Sequence, residues 1–131
     1  MKYISRDEIK QKGIKRFFRS IKFSVEGLVY AYRYEQSMWV HAIATTLTVI
    51  LGICFHIKLS EWAILFIALG SIAAMELINT AIEAAVDLTT LEINPLAKIA
   101  KDCGSAASFV LSLVAAVICL FVFGPYIMEM F

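Results

Sequence analysis

The sequence predicts an all-α integral membrane protein, with three transmembrane helices preceded by an amphipathic helix on the membrane surface. Three apolar runs, about 38–56, 62–88 and 103–126, are each long enough to cross a bilayer as a helix. A basic segment, about 13–35, precedes them and carries apolar residues at helical spacing. The 131 residues are 60% hydrophobic, with a mean hydropathy of +0.77 that exceeds the level of ordinary soluble domains. We therefore predict one membrane domain, residues 1–131.

The segment 13–35 has two chemically different faces. Its apolar face repeats at helical spacing and contains Ile14, Phe17, Phe18, Ile21, Val25, Leu28 and Tyr32. The opposite face is charged, and nine of the twelve basic residues of the chain lie before Gln36 although the net charge is only +1. A basic amphipathic helix ahead of apolar runs favours a membrane surface over nucleic acid. The positive-inside rule places this end of the chain in the cytoplasm.

The first apolar run, about 38–56, carries a face of small residues. Ala44, Thr48 and Gly52 recur every four residues, a spacing that suits close packing against another helix. We interpret His41, in the same run, as a hydrogen-bonded packing residue rather than a ligand. The turn that follows is expected to face out of the cell, and the polar connector that begins at residue 89 to face in, which agrees with the charge rule.

The second run ends in an acidic stripe. Glu76, Asn79, Glu83 and Asp87 are spaced by 3, 4 and 4 residues and share one helix face. At about 1.5 Å per residue from the start of the run at residue 62, Glu76 lies about 21 Å and Glu83 about 32 Å along the axis. Glu76 is thus expected within the inner leaflet and Glu83 near the cytoplasmic interface. Acidic groups at this depth need cations, partners or water.

The residue types around the stripe suit phosphoryl transfer, in which catalysis is mostly positioning and charge neutralisation. Glu83, with Glu35 if the first span packs beside the second, could hold Mg²⁺ through carboxylate oxygens. Lys101 could neutralise phosphate charge, and Asp102 could orient that lysine or a ribose. Glu76 could act as general base on an alcohol. Structural ion pairs or an ion pathway would also account for the stripe, and the sequence contains no P-loop motif.

Two motifs carry a resemblance to a known family. MELINTAIEAAVD, from Met75, and PLAKIAKD, which ends at Asp102, resemble the signature of the prokaryotic diacylglycerol kinases, a family that includes the undecaprenol kinases of Gram-positive bacteria. The resemblance implies a homotrimeric helix bundle in a bacterial cell membrane, with its active site on the cytoplasmic side. It also implies Mg²⁺-dependent transfer of the γ-phosphate of ATP to a lipid hydroxyl.

The resemblance also implies roles for individual residues. Glu76 matches the catalytic base, and Asn79 a supporting residue one turn beyond it. Glu35 and Glu83 match metal-binding carboxylates that also contact ATP. Ser105 matches a small residue near the lipid. The other positions that the resemblance assigns to ATP are Arg16, Glu92, Asn94, Lys101 and Asp102.

The sequence motifs identify the acceptor lipid less specifically than they identify the family resemblance. The stretches EQSMWVH and INPLAK resemble the undecaprenol kinase branch, whereas Cys103-Gly104-Ser105-Ala106 resembles the diacylglycerol kinase branch. We expect undecaprenol to be the acceptor, with diacylglycerol as the alternative. A small proton-coupled transporter that uses Glu76, and an assembly protein without catalysis, are the alternatives from other classes.

Overall fold

The computed structural model describes residues 13–130, and these residues form four helices without a strand. The part of the predicted domain in residues 1–12 and at residue 131 lies outside the described residues. The helices are α1 (Ile14–Tyr34), α2 (Gln36–Cys54), α3 (Leu59–Thr89) and α4 (Pro95–Met128).

Helices α2, α3 and α4 are each long and apolar enough to cross a membrane. At about 1.5 Å per residue, the 31 residues of α3 extend about 46 Å, which exceeds a hydrocarbon core of about 30 Å. Large apolar side chains remain exposed along the spans, for example Ile67 at 71% and Phe121 at 78%. Such exposure is expected where lipid, rather than water, surrounds the helices. The predicted all-α membrane architecture, with three spans and a preceding amphipathic helix, is confirmed.

The corner between α1 and α2 lies at Glu35. This residue adopts an extended backbone conformation, and its N–H donates to the carbonyl of Ala31 at 2.8 Å. The indole Nε1 of Trp39, in the first turns of α2, donates to the carbonyl of Tyr32 at 2.7 Å. This hydrogen bond links the end of the amphipathic helix to the beginning of the first span.

The main packing interface of the chain joins α3 to α4. At the end of this interface farther from the acidic stripe, Leu65 packs with Val122 and Phe123 in an apolar cluster that also includes Ile57. Beside this cluster, the Tyr126 hydroxyl donates to Glu61 Oε2 at 2.7 Å. A hydrogen bond across the hairpin therefore accompanies apolar packing at the end farther from the acidic stripe.

Two glycines allow close helix contacts. A Cβ atom added to Gly52 of α2 would come within 2.6 Å of the Trp62 ring, and one added to Gly104 of α4 within 2.4 Å of Asn79 Oδ1. Of the small-residue face predicted on α2, Thr48 and Gly52 are buried, whereas Ala44 is exposed.

Helix α4 begins earlier than the predicted third span at residue 103. Pro95 occupies its first turn, where the N–H group that proline lacks would have no partner within the helix. Asn94 caps the helix, since its Oδ1 accepts from the N–H groups of Leu96 at 2.9 Å and Ala97 at 3.4 Å. The connector to α3 is consequently only five residues long, 90–94. The additional turns of α4 bring Lys101 and Asp102 onto the same rigid element as Gly104.

Candidate active site

Glu76 is buried within the chain, with 7% of its surface exposed. Two side chains of α2 contact its carboxylate. The Ser37 hydroxyl donates to Oε2 at 2.8 Å, and His41 Nε2 lies 3.2 Å from Oε1. The expectation that His41 is hydrogen-bonded is therefore met, and its partner is the carboxylate that the resemblance assigns as catalytic base. Ser37 was not among the predicted site residues, although its four-residue spacing from His41 places both on one face of α2.

One turn further along α3, Asn79 donates from Nδ2 to Glu83 Oε1 at 3.0 Å. Its other amide atom, Oδ1, is buried and has no hydrogen-bond partner among the described residues. That oxygen faces Gly104 of α4, where only a glycine leaves room for it. An unpartnered buried oxygen beside a carboxylate is costly unless a ligand or water completes it. The acidic stripe thus contacts α2 through Glu76 and α4 through Asn79.

The two lysines near the stripe pair with different acids. Lys101 Nζ lies 2.6 Å from Asp87 Oδ1, and both side chains are partly exposed. Asp102 pairs with Lys98, one turn back on α4. In this structure Asp87, rather than Asp102, therefore pairs with Lys101, and the alternative that Asp102 orients a ribose stays a prediction. Asp87 thus holds Lys101 beside the acidic stripe.

A cavity of about 300 Å³ lies beside this ion pair. It is lined by the end of α3, the connector and the first turns of α4, including Asp87, Glu92, Asn94, Lys101 and Asp102. Four of the residues that the resemblance assigns to ATP therefore share one cavity. The Asn94 side chain already caps α4, so its contribution there is at least partly structural.

The remaining predicted residues are not joined to the stripe within residues 13–130. No hydrogen bond or ion pair in this part of the chain connects Arg16, Glu35 or Ser105 to it. Arg16 and Ser105 are exposed, and Glu35 is partly buried at the corner between α1 and α2. Ser37, however, follows Glu35 by two residues, so the contact of Ser37 with Glu76 brings this corner close to the stripe.

The donor atoms suit a hard cation, although residues 13–130 contain no preformed group of three or more metal-ligating side chains. Mg²⁺ is usually held by one or two carboxylates and completes its shell with phosphate oxygens and water. The Glu83 carboxylate, whose Oε1 accepts from Asn79 Nδ2, is an oxygen donor of this kind on α3. The residues therefore fit Mg²⁺ bound together with a nucleotide.

A second cavity, of about 410 Å³, lies between α2 and α3. It extends away from Glu76 along the apolar part of the spans, and His41 is part of its wall. The other lining residues are mostly apolar or small: Tyr32, Met38, Ala42, Thr45, Thr46, Phe66, Leu69, Gly70 and Ala73. An apolar cavity whose wall includes the histidine that contacts the buried carboxylate suits a molecule with a hydroxyl on a hydrocarbon chain.

Comparison with known proteins identifies the family to which this chain belongs. The sequence model of prokaryotic diacylglycerol kinases matches residues 22–123, which include all four helices in whole or in part. The chain belongs to the prokaryotic diacylglycerol kinase family. It is a lipid kinase and a multi-pass membrane protein, and as a kinase of this family it uses ATP. Family membership favours this activity over the transporter and the non-catalytic assembly protein.

Individual relatives of the kinase carry two different names. The undecaprenol kinase of Bacillus subtilis is 37% identical over 112 residues, which cover 86% of this chain and 91% of the relative. The diacylglycerol kinase of Helicobacter pylori strain J99 is 33% identical over 122 residues, or 93% of this chain and 92% of the relative. The diacylglycerol kinase of Escherichia coli K12 is 29% identical over 105 residues, or 80% and 86%.

Proposed function

We propose that this kinase transfers the γ-phosphate of ATP to undecaprenol at the cytoplasmic face of a bacterial cell membrane, with Mg²⁺ as cofactor. The observation that carries the proposal is the buried Glu76 carboxylate. It contacts His41 in the wall of an apolar cavity, and it lies on the same helix as Glu83 and Asp87. A hydrophobic alcohol and a water-soluble nucleotide can therefore approach one helix from two sides. The likeness to the Bacillus subtilis relative supports a polyprenol as the acceptor.

In the proposed reaction, Glu76 accepts the proton of the lipid hydroxyl as the hydroxyl oxygen attacks the γ-phosphorus. The bond from that phosphorus to the bridging oxygen breaks, and ADP leaves. Lys101, held by Asp87, offsets negative charge on the phosphates. Bound Mg²⁺ supplies further charge neutralisation. Glu83 and Glu35 would hold the metal, and Asn79 keeps the Glu83 carboxylate in place.

The other residues implied by the resemblance have supporting roles in the proposal. Glu92, Asn94 and Asp102 line the cavity that holds Lys101, so this cavity is the proposed nucleotide site. Arg16 would close over the nucleotide from the surface helix. Ser105, exposed near the cytoplasmic end of α4, would lie near the lipid headgroup region.

The proposed assembly is a homotrimer whose site lies between neighbouring chains. Helices α1 and α2 make much less contact with the rest of the chain than α3 and α4 make with each other. They are therefore free to pack against another copy in the membrane, where close contacts between small residues and polar groups stabilise helix association.

Diacylglycerol remains the alternative acceptor, because the Helicobacter relatives named diacylglycerol kinase share 33% identity over 93% of this chain. Purified kinase in nanodiscs should be given radiolabelled ATP with undecaprenol, diacylglycerol or no added lipid. We expect labelled undecaprenyl phosphate from the wild type and Mg²⁺, none after chelation by EDTA, and a loss of rate of about 100-fold or more in Glu76→Gln. Faster labelling of diacylglycerol would reassign the acceptor. Equal rates in the wild type and in Glu76→Gln would remove this residue from the role of base.

A further inference from the structure

Glu76 has two partners on α2 to which the mechanism above gives no role. We propose that Ser37 and His41 are positioning residues, which hold the Glu76 carboxylate in the orientation that receives the proton of the lipid hydroxyl. This inference rests on the proposed function, because it deepens the role of the same carboxylate.

The geometry of the two contacts is complementary. Ser37 donates to Oε2 at 2.8 Å, whereas His41 Nε2 lies 3.2 Å from Oε1, so each carboxylate oxygen has its own partner. An ionised carboxylate only accepts hydrogen bonds, so the second contact requires that Nε2 of His41 carries the proton. Donors at both oxygens restrict rotation of the carboxylate as well as its position. Each oxygen retains a further lone pair that can accept the proton of a substrate.

The environment makes these donors difficult to replace. Glu76 is 7% exposed, and Ser37 and His41 are the side chains that hydrogen-bond its carboxylate among residues 13–130. Bulk water has little access to a carboxylate buried this far, so loss of one donor leaves an oxygen unpartnered. A glutamate side chain is flexible, and small errors in the placement of a reacting group can cost a large factor in rate.

His41 also connects the base with the apolar cavity. Its ring is part of the wall of the 410 Å³ cavity while Nε2 contacts Glu76. A lipid chain in that cavity would therefore lie against the same imidazole that fixes the carboxylate. Because Ser37 and His41 lie one turn apart on α2, the first two turns of this helix determine where the base points.

The test uses pairs of variants that differ in whether a donor is retained. Ser37→Ala removes the hydroxyl, and Ser37→Thr keeps it. His41→Gln places an amide N–H near the position of Nε2, whereas His41→Asn has a shorter side chain that does not reach it. Two controls remove the same chemical groups elsewhere: Ser71→Ala, whose hydroxyl donates to the carbonyl of Ile67, and His56→Asn, in the exposed turn between α2 and α3.

The kcat and the KM values for ATP and lipid should be measured for each purified variant in nanodiscs, together with its Tm. We expect Ser37→Ala and His41→Asn to lower kcat about 10-fold or more, with the KM for ATP within about twofold of the wild type. Ser37→Thr and His41→Gln should recover most of that loss, and both controls should match the wild type.

Wild-type kcat in Ser37→Ala and His41→Asn would overturn the inference. Equal losses in the two members of each pair, accompanied by equal decreases in Tm, would also overturn it, because they would show a structural role. Failure of the proposed function is distinguishable from both results, since the wild type itself would then phosphorylate no lipid.

Discussion

At the scale of single residues, the contacts of the acidic stripe separate what helical periodicity can predict from what it cannot. The spacing of Glu76, Asn79 and Glu83 predicts that they share a face, and the hydrogen bond between Asn79 and Glu83 agrees with that arrangement. The contacts of Ser37 and His41 with Glu76 depend on how α2 is rotated against α3. The rotation of α2 relative to α3 cannot be predicted from the sequence of either helix alone.

Gly104 has a testable role because its missing side chain leaves room for Asn79. A Cβ atom at this position would lie 2.4 Å from Oδ1, so Gly104→Ala must displace the Asn79 amide. We expect a destabilisation of about 1–3 kcal/mol from overpacking. We also expect an increased Mg²⁺ requirement, because Asn79 would no longer hold Glu83. A titration of activity against Mg²⁺ measures this requirement.

Gly124→Ala is the matched control, since a Cβ atom at Gly124 on the same helix meets nothing within 4 Å. An unchanged Mg²⁺ requirement in Gly104→Ala, in protein that remains folded, would contradict the proposed link from Gly104 through Asn79 to Glu83.

At the scale of helices, the periodic pattern predicts the existence and order of α1 to α4 well, but the beginning of α4 less well. The predicted third span begins at about residue 103, whereas the cap by Asn94 and the position of Pro95 start the helix eight residues earlier. The pairing of Lys101 with Asp87 follows from this early start. It could not be predicted from charge alone, because Lys98, Lys101 and Asp102 offer several plausible ion pairs.

The cavity between α2 and α3 leads to a second prediction. Gly70 lines it, and a Cβ atom added there meets nothing within 4 Å, so a larger side chain can enter without a backbone clash. We expect Gly70→Leu to fill part of the cavity and to raise the KM for undecaprenol several-fold, with little change in the KM for ATP.

Kinetics in nanodiscs at varied lipid content measure both constants. Gly124→Leu, which adds the same side chain to an open glycine of α4, controls for the added hydrophobic volume. If Gly70→Leu left the lipid KM unchanged, the acceptor chain would have to bind elsewhere.

The end of the α3–α4 hairpin farther from the acidic stripe yields a prediction about stability. Tyr126→Phe removes the hydroxyl that donates to Glu61 while it keeps the aromatic ring near Phe55. We expect a Tm lower by a few degrees, because Glu61 loses an accepted hydrogen bond, and an unchanged kcat. Thermal unfolding in detergent and the labelling assay measure the two quantities. A fall in kcat without a fall in Tm would show that this end of the hairpin affects catalysis.

At the scale of the whole molecule, the position of Glu35 bears on the proposal that the metal site lies between neighbouring chains. The contact of Ser37 with Glu76 places the neighbouring Glu35 near the level of that residue. Glu83 lies seven residues further along α3, or about 10 Å. A neighbouring copy could bring its own Glu35 to Glu83, as the proposed trimer requires.

Co-expression of two inactive variants tests this arrangement. Chains with Glu35→Ala and chains with Glu83→Ala should each be inactive alone. Mixed assemblies should recover part of the activity, because some sites would combine an intact Glu35 from one chain with an intact Glu83 from another. Assemblies in which every chain carries Glu83→Ala are the control. A mixed assembly as inactive as that control would show that each chain supplies both carboxylates itself.

The hydrogen bond between Tyr126 and Glu61 has a practical consequence for protein engineering. It lies beside the packing of Leu65 with Phe123, at the end of the hairpin remote from the acidic stripe. The contacts that join α3 to α4 at this end are therefore separated in space from the proposed catalytic residues. Substitutions that stabilise the packing near Tyr126 and Glu61 can therefore be combined with substitutions in the acidic stripe. A thermostable variant made in this way would remain folded when destabilising substitutions are introduced to test the roles of the catalytic residues.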